Sequence, residues 1–254
     1  MSKNNDSMKK TLTVAFLLCL VCSVIVSGAA VSLKPLQERN QEHDRRSNIL
    51  IAAGLIQPRE ATFERVNAEF EKIQVKVVDL RTGELTDAIS PEEYDQLRAA
   101  ADPATSDTLA SDPAGIRRLE RYGLVYIVGD LENPDRIIIP VRGSGLWSTL
   151  YGFLALEGDG NTIAGLGFYQ HAETPGLGGE VDNANWKAQW PGKQVFAAGS
   201  MQPRLGLSRN PSAEHEVDTL AGATLTARGV TNLLQFWTGD QGYGRFLAQF
   251  RQGV

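Results

Sequence analysis

Gly222-Ala223-Thr224 places a hydroxyl behind two small residues, just ahead of apolar residues at Val230, Leu233, Leu234 and Trp237. That spacing falls on one face of a helix. It sets Thr224 at or just before a helix N-terminus, where N–H groups without intrahelical acceptors and the helix dipole favour a phosphate. Gly222 lets the backbone approach a bulky phosphate closely, and Ala223 keeps the neighbourhood small. Thr224 therefore reads either as a plain N-cap or as the bearer of a phosphate ester, and so short a motif leaves both open. Thr226 is the rival hydroxyl.

A second cluster is His171-Ala172-Glu173-Thr174-Pro175-Gly176-Leu177-Gly178-Gly179-Glu180. Three glycines and a proline after a predicted strand bring backbone N–H groups close to a ligand, or simply make a tight structural loop. The spacing and the lack of a lysine argue against a P-loop. His215, upstream of Thr224, reads as a solvated side chain or as one that approaches a phosphate.

These residues need elements to hold them. VKVVDL (75–80), LVYIVGD (124–130) and RIIIPVRG (136–143) carry strand signals, the last two paired with each other. Residues 147–171 read as a hairpin turning at Gly158-Asp159-Gly160-Asn161. Helices are expected from residue 35 to a stop at Gln57-Pro58, then over 61–73 with Phe63, Val66, Phe70 and Ile73 inward. Others are expected over 90–101, where Ser-Pro-Glu-Glu makes a good start, over 183–190, and after Thr224. Residues 102–115 read as a polar surface loop. Strands flanked by helices without regular alternation predict an α+β fold with a mostly antiparallel sheet.

The chain has 254 residues, 42% hydrophobic and 22% charged, with net charge −5 and no basic run. This argues against nucleic acid as a partner. No charged residue occurs from Thr11 to Leu33, a run long enough to span a bilayer as a helix. Ser27-Gly28-Ala29 resembles a signal cleavage site, but the run exceeds a signal's usual apolar length of about 7–15 residues. A retained anchor over 11–33 is expected, after a cytoplasmic tail of residues 1–10 and before an extracytoplasmic domain of 34–254. Lysines and arginines flank both ends, so charge alone does not fix orientation; the short tail favours the N-terminus inside. Cys19 and Cys22 lie within the apolar run, as packing residues or as a ligand pair toward a partner. The rest of the chain lacks cysteine, which suits an oxidising compartment.

Residues 218–226 resemble the sequence at which a flavin transferase esterifies FMN to a threonine. Asp218, Gly222, Ala223 and Thr224 match, and Ala221 stands where the family usually has serine. Nearly the whole chain resembles the C subunits of the bacterial Na+-translocating NADH:quinone oxidoreductases. The resemblance runs through the start at residues 2–12, the single anchor, Arg142-Gly143-Ser144-Gly145-Leu146-Trp147, Glu173 to Glu180, and the attachment motif. It implies a covalent FMN on Thr224, in a flavin-binding part over residues 120–254 on the periplasmic side of the inner membrane. It also implies that Trp147, Thr174 and Leu177 lie around the isoalloxazine, with Glu173, Gly176, Gly222, Ala223 and Leu225 as further cofactor contacts. Trp147 offers a flat apolar wall, against the plain reading of a core tryptophan. Glu173 and Thr174 either hydrogen-bond the cofactor or order their loop. Ala221 forgoes one hydrogen bond of about 1 kcal/mol, predicting slower flavinylation at most.

The implied partners are the other subunits of the complex, a flavin transferase and the membrane. The implied role is electron transfer within a pump that couples NADH oxidation and quinone reduction to Na+ export, with no catalytic residue and no complete activity in this chain. The alternatives are the flavoprotein subunit of the related ferredoxin–NAD+ oxidoreductase pump, or an anchored ligand-binding domain without redox function.

Overall fold

The computed structural model describes residues Met8 to Arg251. Residues 1–7, which include most of the expected cytoplasmic tail and much of the N-terminal resemblance, lie outside them. Contacts divide the chain into two units, Met1–Asp44 and Arg45–Val254.

Helix α1 (Met8–Ala52) is continuous through the expected 33/34 boundary. Its most apolar window has mean hydropathy 2.7 and is 0% buried, so by length and composition it can cross a membrane. Cys19 and Cys22 are exposed on it. In the second unit, the end of α1 buries Ile49, Leu50 and Ala52, followed by Ala53 and Ile56. The helix stops earlier than Gln57-Pro58. Gly54 adopts φ +70, with Leu55 N–H bonded to Leu50 O at 2.9 Å and Gly54 N–H to Ile51 O at 3.0 Å. That is a Schellman stop, for which a glycine pays no steric penalty.

Helix α2 (Phe63–Phe70) is capped by the Thr62 side chain and buries Val66. Phe63 is instead exposed. Ile73 opens strand β1 (Ile73–Asp79), which turns into β2 (Glu84–Leu85). The helix expected over 90–101 is only α3 (Gln96–Ala101), because the Asp95 side chain caps it and residues 90–93 form a turn. The expected loop 102–115 contains β3 (Ser106–Thr108), paired with β4 (Arg118–Glu120). Its polar composition hid this pairing, which Arg118 stabilises by reaching across to Ser106 Oγ and Thr108 Oγ1.

Strands β5 (Tyr122–Gly129), β6 (Pro134–Ser144), β7 (Thr149–Glu157) and β8 (Ile163–Gln170) follow. With β1 and β2 they make one antiparallel six-stranded sheet in the order β2-β1-β5-β6-β7-β8. Helix α4 (Ala184–Lys187) is shorter than expected. A parallel pair with no clear sequence signal, β9 (Gly206–Ser208) and β10 (Glu216–Asp218), precedes α5 (Thr224–Thr238) and α6 (Gly244–Leu247).

Both faces of the sheet are covered, which explains why its central strands are apolar throughout rather than alternating. Leu124, Tyr126, Ile138, Phe153 and Ala155 pack under the end of α1 and under Val66. Their neighbours Val125, Ile127, Ile137, Ile139 and Leu154 face α5, where Val230, Leu233, Leu234 and Trp237 are all 0% exposed. The predicted stripe of α5 is thus its buried face.

Candidate functional site

The antiparallel register brings the end of β6, the start of β7 and the end of β8 to one edge of the sheet, since Ser144 faces Thr149 and Tyr151 faces Gln170. The first half of α5 crosses there. A Cβ on Gly229 would stand 2.2 Å from Ser144 O, so helix and strand approach as only glycine permits.

Three segments meet at this edge. The first, 145–148, is closed by Gly145 N–H to Ser148 O at 2.7 Å. It leaves Leu146 46% and Trp147 68% exposed; the plain core-tryptophan reading of Trp147 is therefore wrong. The second is the glycine loop. Thr174 O accepts from Leu177 N–H at 3.1 Å and Gly179 N–H at 2.9 Å. Pro175 and Gly176, at φ +75, occupy the central positions of a turn with type II signature, and Leu177 emerges from it 44% exposed. His171 braces the loop, its Nε2 2.8 Å from Asp182 Oδ2 while its Nδ1 accepts the Glu173 N–H at 3.2 Å.

The third segment enters α5 by a second turn of the same kind. Ala223 N–H bonds Leu220 O at 3.2 Å, with Gly222 at φ +70. The two turns touch, for a Cβ on Gly222 would lie 3.0 Å from Leu177 Cδ2. Gly222 thus serves the turn and the packing of Leu177, beyond the phosphate approach expected of it. Trp186 Nε1 and Gln189 Oε1 hold the backbone of Asp218 from outside.

The plain N-cap reading of Thr224 fails here. Ala223 is the N-cap, buried and without a side-chain cap, and Thr224 is the first helical residue, exposed to solvent. The first intrahelical bond is Ala227 N–H to Ala223 O at 2.9 Å, so the N–H groups of Thr224, Leu225 and Thr226 point out of the helix end. Leu225 is 51% exposed, while Thr226 is 0% exposed and donates to Glu173 Oε2 at 2.5 Å.

Glu173 itself is buried, and its Oε1 accepts the Trp147 N–H at 2.9 Å. Burial pushes its carboxyl up, but hydrogen bonds from Thr226 and from the backbone of Trp147, Leu146 and Ser148 outweigh that and hold it below its ordinary value. Both oxygens are engaged by the chain, so this geometry orders the loop. His215 is neither solvated nor turned toward the helix end: it is buried, with Nδ1 2.7 Å from Gln194 O. Sequence reasoning missed Leu146, and missed that Gly145 and Gly178 are required by close packing around Glu173.

These residues fit FMN. An exposed hydroxyl and outward N–H groups at the start of a long helix suit a phosphate. Leu146, Trp147, Leu177 and Leu225, exposed around it, suit a flat aromatic ring that would cover them.

Residues 145–239 match the FMN-binding domain family. The chain is 53% identical to the C subunit of the Na(+)-translocating NADH-quinone reductase of Pseudomonas aeruginosa, covering 98% of each chain. It is 45% identical to that of Vibrio parahaemolyticus, covering 100% of this chain and 99% of the relative. The chain belongs to the family of Na+-translocating NADH-quinone reductase C subunits. The crystal structure of Shewanella oneidensis NqrC superposes with a TM-score of 0.74 at 32% identity, over 83% of this chain and 98% of that one. The crystal structure of the C subunit from Parabacteroides distasonis, at 23% identity and TM-score 0.66 over 85% of this chain and 96% of that one, shares the fold. Within this family the exposed apolar rim and the open helix end belong to an FMN-binding domain of an oxidoreductase subunit, and the ferredoxin-linked and non-redox alternatives are not favoured.

Proposed function

We propose that this chain carries FMN as a phosphoester on Thr224 and passes electrons within a membrane complex that couples NADH oxidation and quinone reduction to Na+ export. The observation that carries the attachment is the contrast between two neighbouring hydroxyls. Thr224 is exposed at an open helix end, whereas Thr226 is 0% exposed and bonded to a carboxylate. Esterification needs a flavin phosphoanhydride. Thr224 Oγ would be the acceptor of the flavin phosphate, displacing the second phosphate of the anhydride with its electron pair and giving up the hydroxyl proton to solvent. A flavin transferase is the partner expected to catalyse this, and Ala221 removes one hydroxyl from its target.

Bound FMN supplies reversible uptake of electrons; the chain supplies place and polarity. The N–H groups of the first turn of α5 receive the phosphate. Gly222 and Ala223 leave room for it, and Gly176 and Thr174 shape the turn that presents Leu177. Trp147, Leu146, Leu177 and Leu225 shield the ring from water. Residues 11–33 anchor the chain as a retained helix, with the domain on the periplasmic side and the remaining subunits of the complex as its partners.

Thr224→Ala should abolish covalent flavin, read by in-gel fluorescence and peptide mass mapping, with the fold intact. If Thr226→Ala removed the flavin and Thr224→Ala did not, the assignment would be wrong. Intact mass of membrane-extracted protein tests anchor retention, which a mature N-terminus near Ala30 would refute. C-terminal reporters active solely in the cytoplasm would reverse the orientation.

A further inference from the structure

Glu173 lies where the three segments of the site converge. Its Oε1 takes the Trp147 N–H at 2.9 Å and its Oε2 takes the Thr226 hydroxyl at 2.5 Å. Glycines close the cage around it: a Cβ on Gly145 would stand 2.5 Å from Oε1, and one on Gly178 would stand 2.7 Å from Oε2 and 2.6 Å from Thr226 Oγ1. Glu173 is 5% exposed. The enclosed carboxylate joins the Leu146–Trp147 rim to the first turn of the helix that bears the acceptor. A hydrogen-bonded carboxylate would also make Thr226 the better nucleophile if phosphorus could reach it; complete burial prevents that.

We propose that Glu173 is the positioning residue of flavin attachment, which by holding the Thr226 hydroxyl inward sets the first turn of α5 so that Thr224 alone is presented, and by holding the Trp147 N–H sets the ring wall against it. This rests on the reading of Thr224 as the acceptor. Thr226 contributes as the link, because its hydroxyl is the point at which the carboxylate grips the helix. Leu225 and Thr224 lie one and two residues before that grip. A slackened turn therefore moves the acceptor oxygen, and small displacements of a reacting atom are costly in rate.

The test uses the full-length chain co-expressed with a flavin transferase. Initial covalent flavin incorporation is measured per folded protein, followed by peptide mapping and by iodide quenching of the attached flavin. Thr226→Val keeps the shape and removes the hydroxyl. It should slow incorporation about tenfold, the scale of one charge-assisted hydrogen bond, and should raise iodide access. Thr226→Ser keeps the hydroxyl and should incorporate flavin at the unsubstituted rate. Glu173→Gln removes the charge but leaves an amide that can still accept from the Trp147 N–H and donate to Thr226 Oγ1, so it should be slowed less than Thr226→Val. If Thr226→Val matched the unsubstituted rate and shielding, or if Thr226→Ser were as slow as Thr226→Val, the role would be purely structural and the proposal overturned. Thr226→Val decides the question even if Glu173→Gln fails to fold. Mapping the unsubstituted protein separates the two ideas: flavin away from Thr224 sinks the attachment reading and this one with it. Flavin on Thr224 with indifferent variants sinks this one alone.

Discussion

Two carboxylates are buried at the two ends of α5, and the chain holds them by different means. Under the last turns, Glu120 is 1% exposed and forms a two-pronged pair with Arg142, Oε1 to Nη1 at 2.7 Å and Oε2 to Nη2 at 2.5 Å. Gln96 Nε2 adds a donor at 2.7 Å, Trp237 Nε1 bonds the Arg142 carbonyl at 2.7 Å, and the guanidinium lies 5.0 Å from the Trp237 ring centre. Burial works to strip the Arg142 charge, but hydrogen bonds and charge from Glu120 prevail and raise its pKa. At the first turn, Glu173 is held by a hydroxyl and backbone N–H groups, with no cation among the causes of its shift. The difference teaches how one helix can serve two ends. A matched ion pair fixes the closed end to the sheet. At the open end, a hydroxyl and backbone N–H groups stabilise the charge without a paired cation among the causes of its shift.

The largest effect should come from Glu120→Ala. Stranding Arg142 in the interior should cost about 3–5 kcal/mol, measured by urea unfolding of the extracted protein. Replacing both partners with apolar residues should cost far less, because no uncompensated charge remains. Equal losses from the single and the paired replacement would break the contrast.

The middle of the helix comes next. Alanine at an ordinary helical glycine gains about 1 kcal/mol in propensity. At Gly229 the new Cβ would meet Ser144 O at 2.2 Å, and overpacking of that kind costs about 1–3 kcal/mol. Gly229→Ala should therefore destabilise despite its better propensity; a stabilised variant would mean that the helix can lift off β6 freely.

The open end should show its charge in a smaller, pH-dependent term. The Glu173 pKa is depressed below its ordinary value of 4.5, so its contribution to stability is full above that value and is lost as pH falls through the folded-state pKa. Thr226→Val removes the main hydrogen bond that lowers it. The stability gap between unsubstituted protein and this variant should narrow as pH drops below 4.5. A gap constant over that range would show that Glu173 is not ionised against Thr226.

The smallest effect on stability belongs to Trp147→Leu. With the indole 68% exposed, the change should stay within about 0.5 kcal/mol. It should still brighten attached FMN, because an indole at the ring quenches flavin by electron donation. Unchanged emission would place Trp147 away from the ring.

Local patterns carried much of this protein. The uncharged run 11–33, the hairpin around Asp159 and the buried stripe of α5 were legible because each depends on residues near one another in sequence. The Asp159 carboxylate, for example, accepts from the N–H groups of Asn161 and Thr162. The clustering of Trp147, Leu177 and Thr224 was expected through family resemblance alone. Their common edge follows from strand register, which no local pattern states. Other features belonged to the tertiary structure outright. Thr226 and Glu173 are 53 positions apart, and their bond decides which of two similar hydroxyls faces solvent. The stop of α1 at Gly54, the pairing of β3 with β4 inside a polar stretch, and the burial of His215 against Gln194 O were likewise decided by partners distant in sequence or by cap geometry. Composition could tell that residues 222–226 suit a helix start beside a phosphate. Only packing could leave Thr224 exposed and draw Thr226 inward, because exposure is a property of what surrounds a side chain and not of the side chain itself.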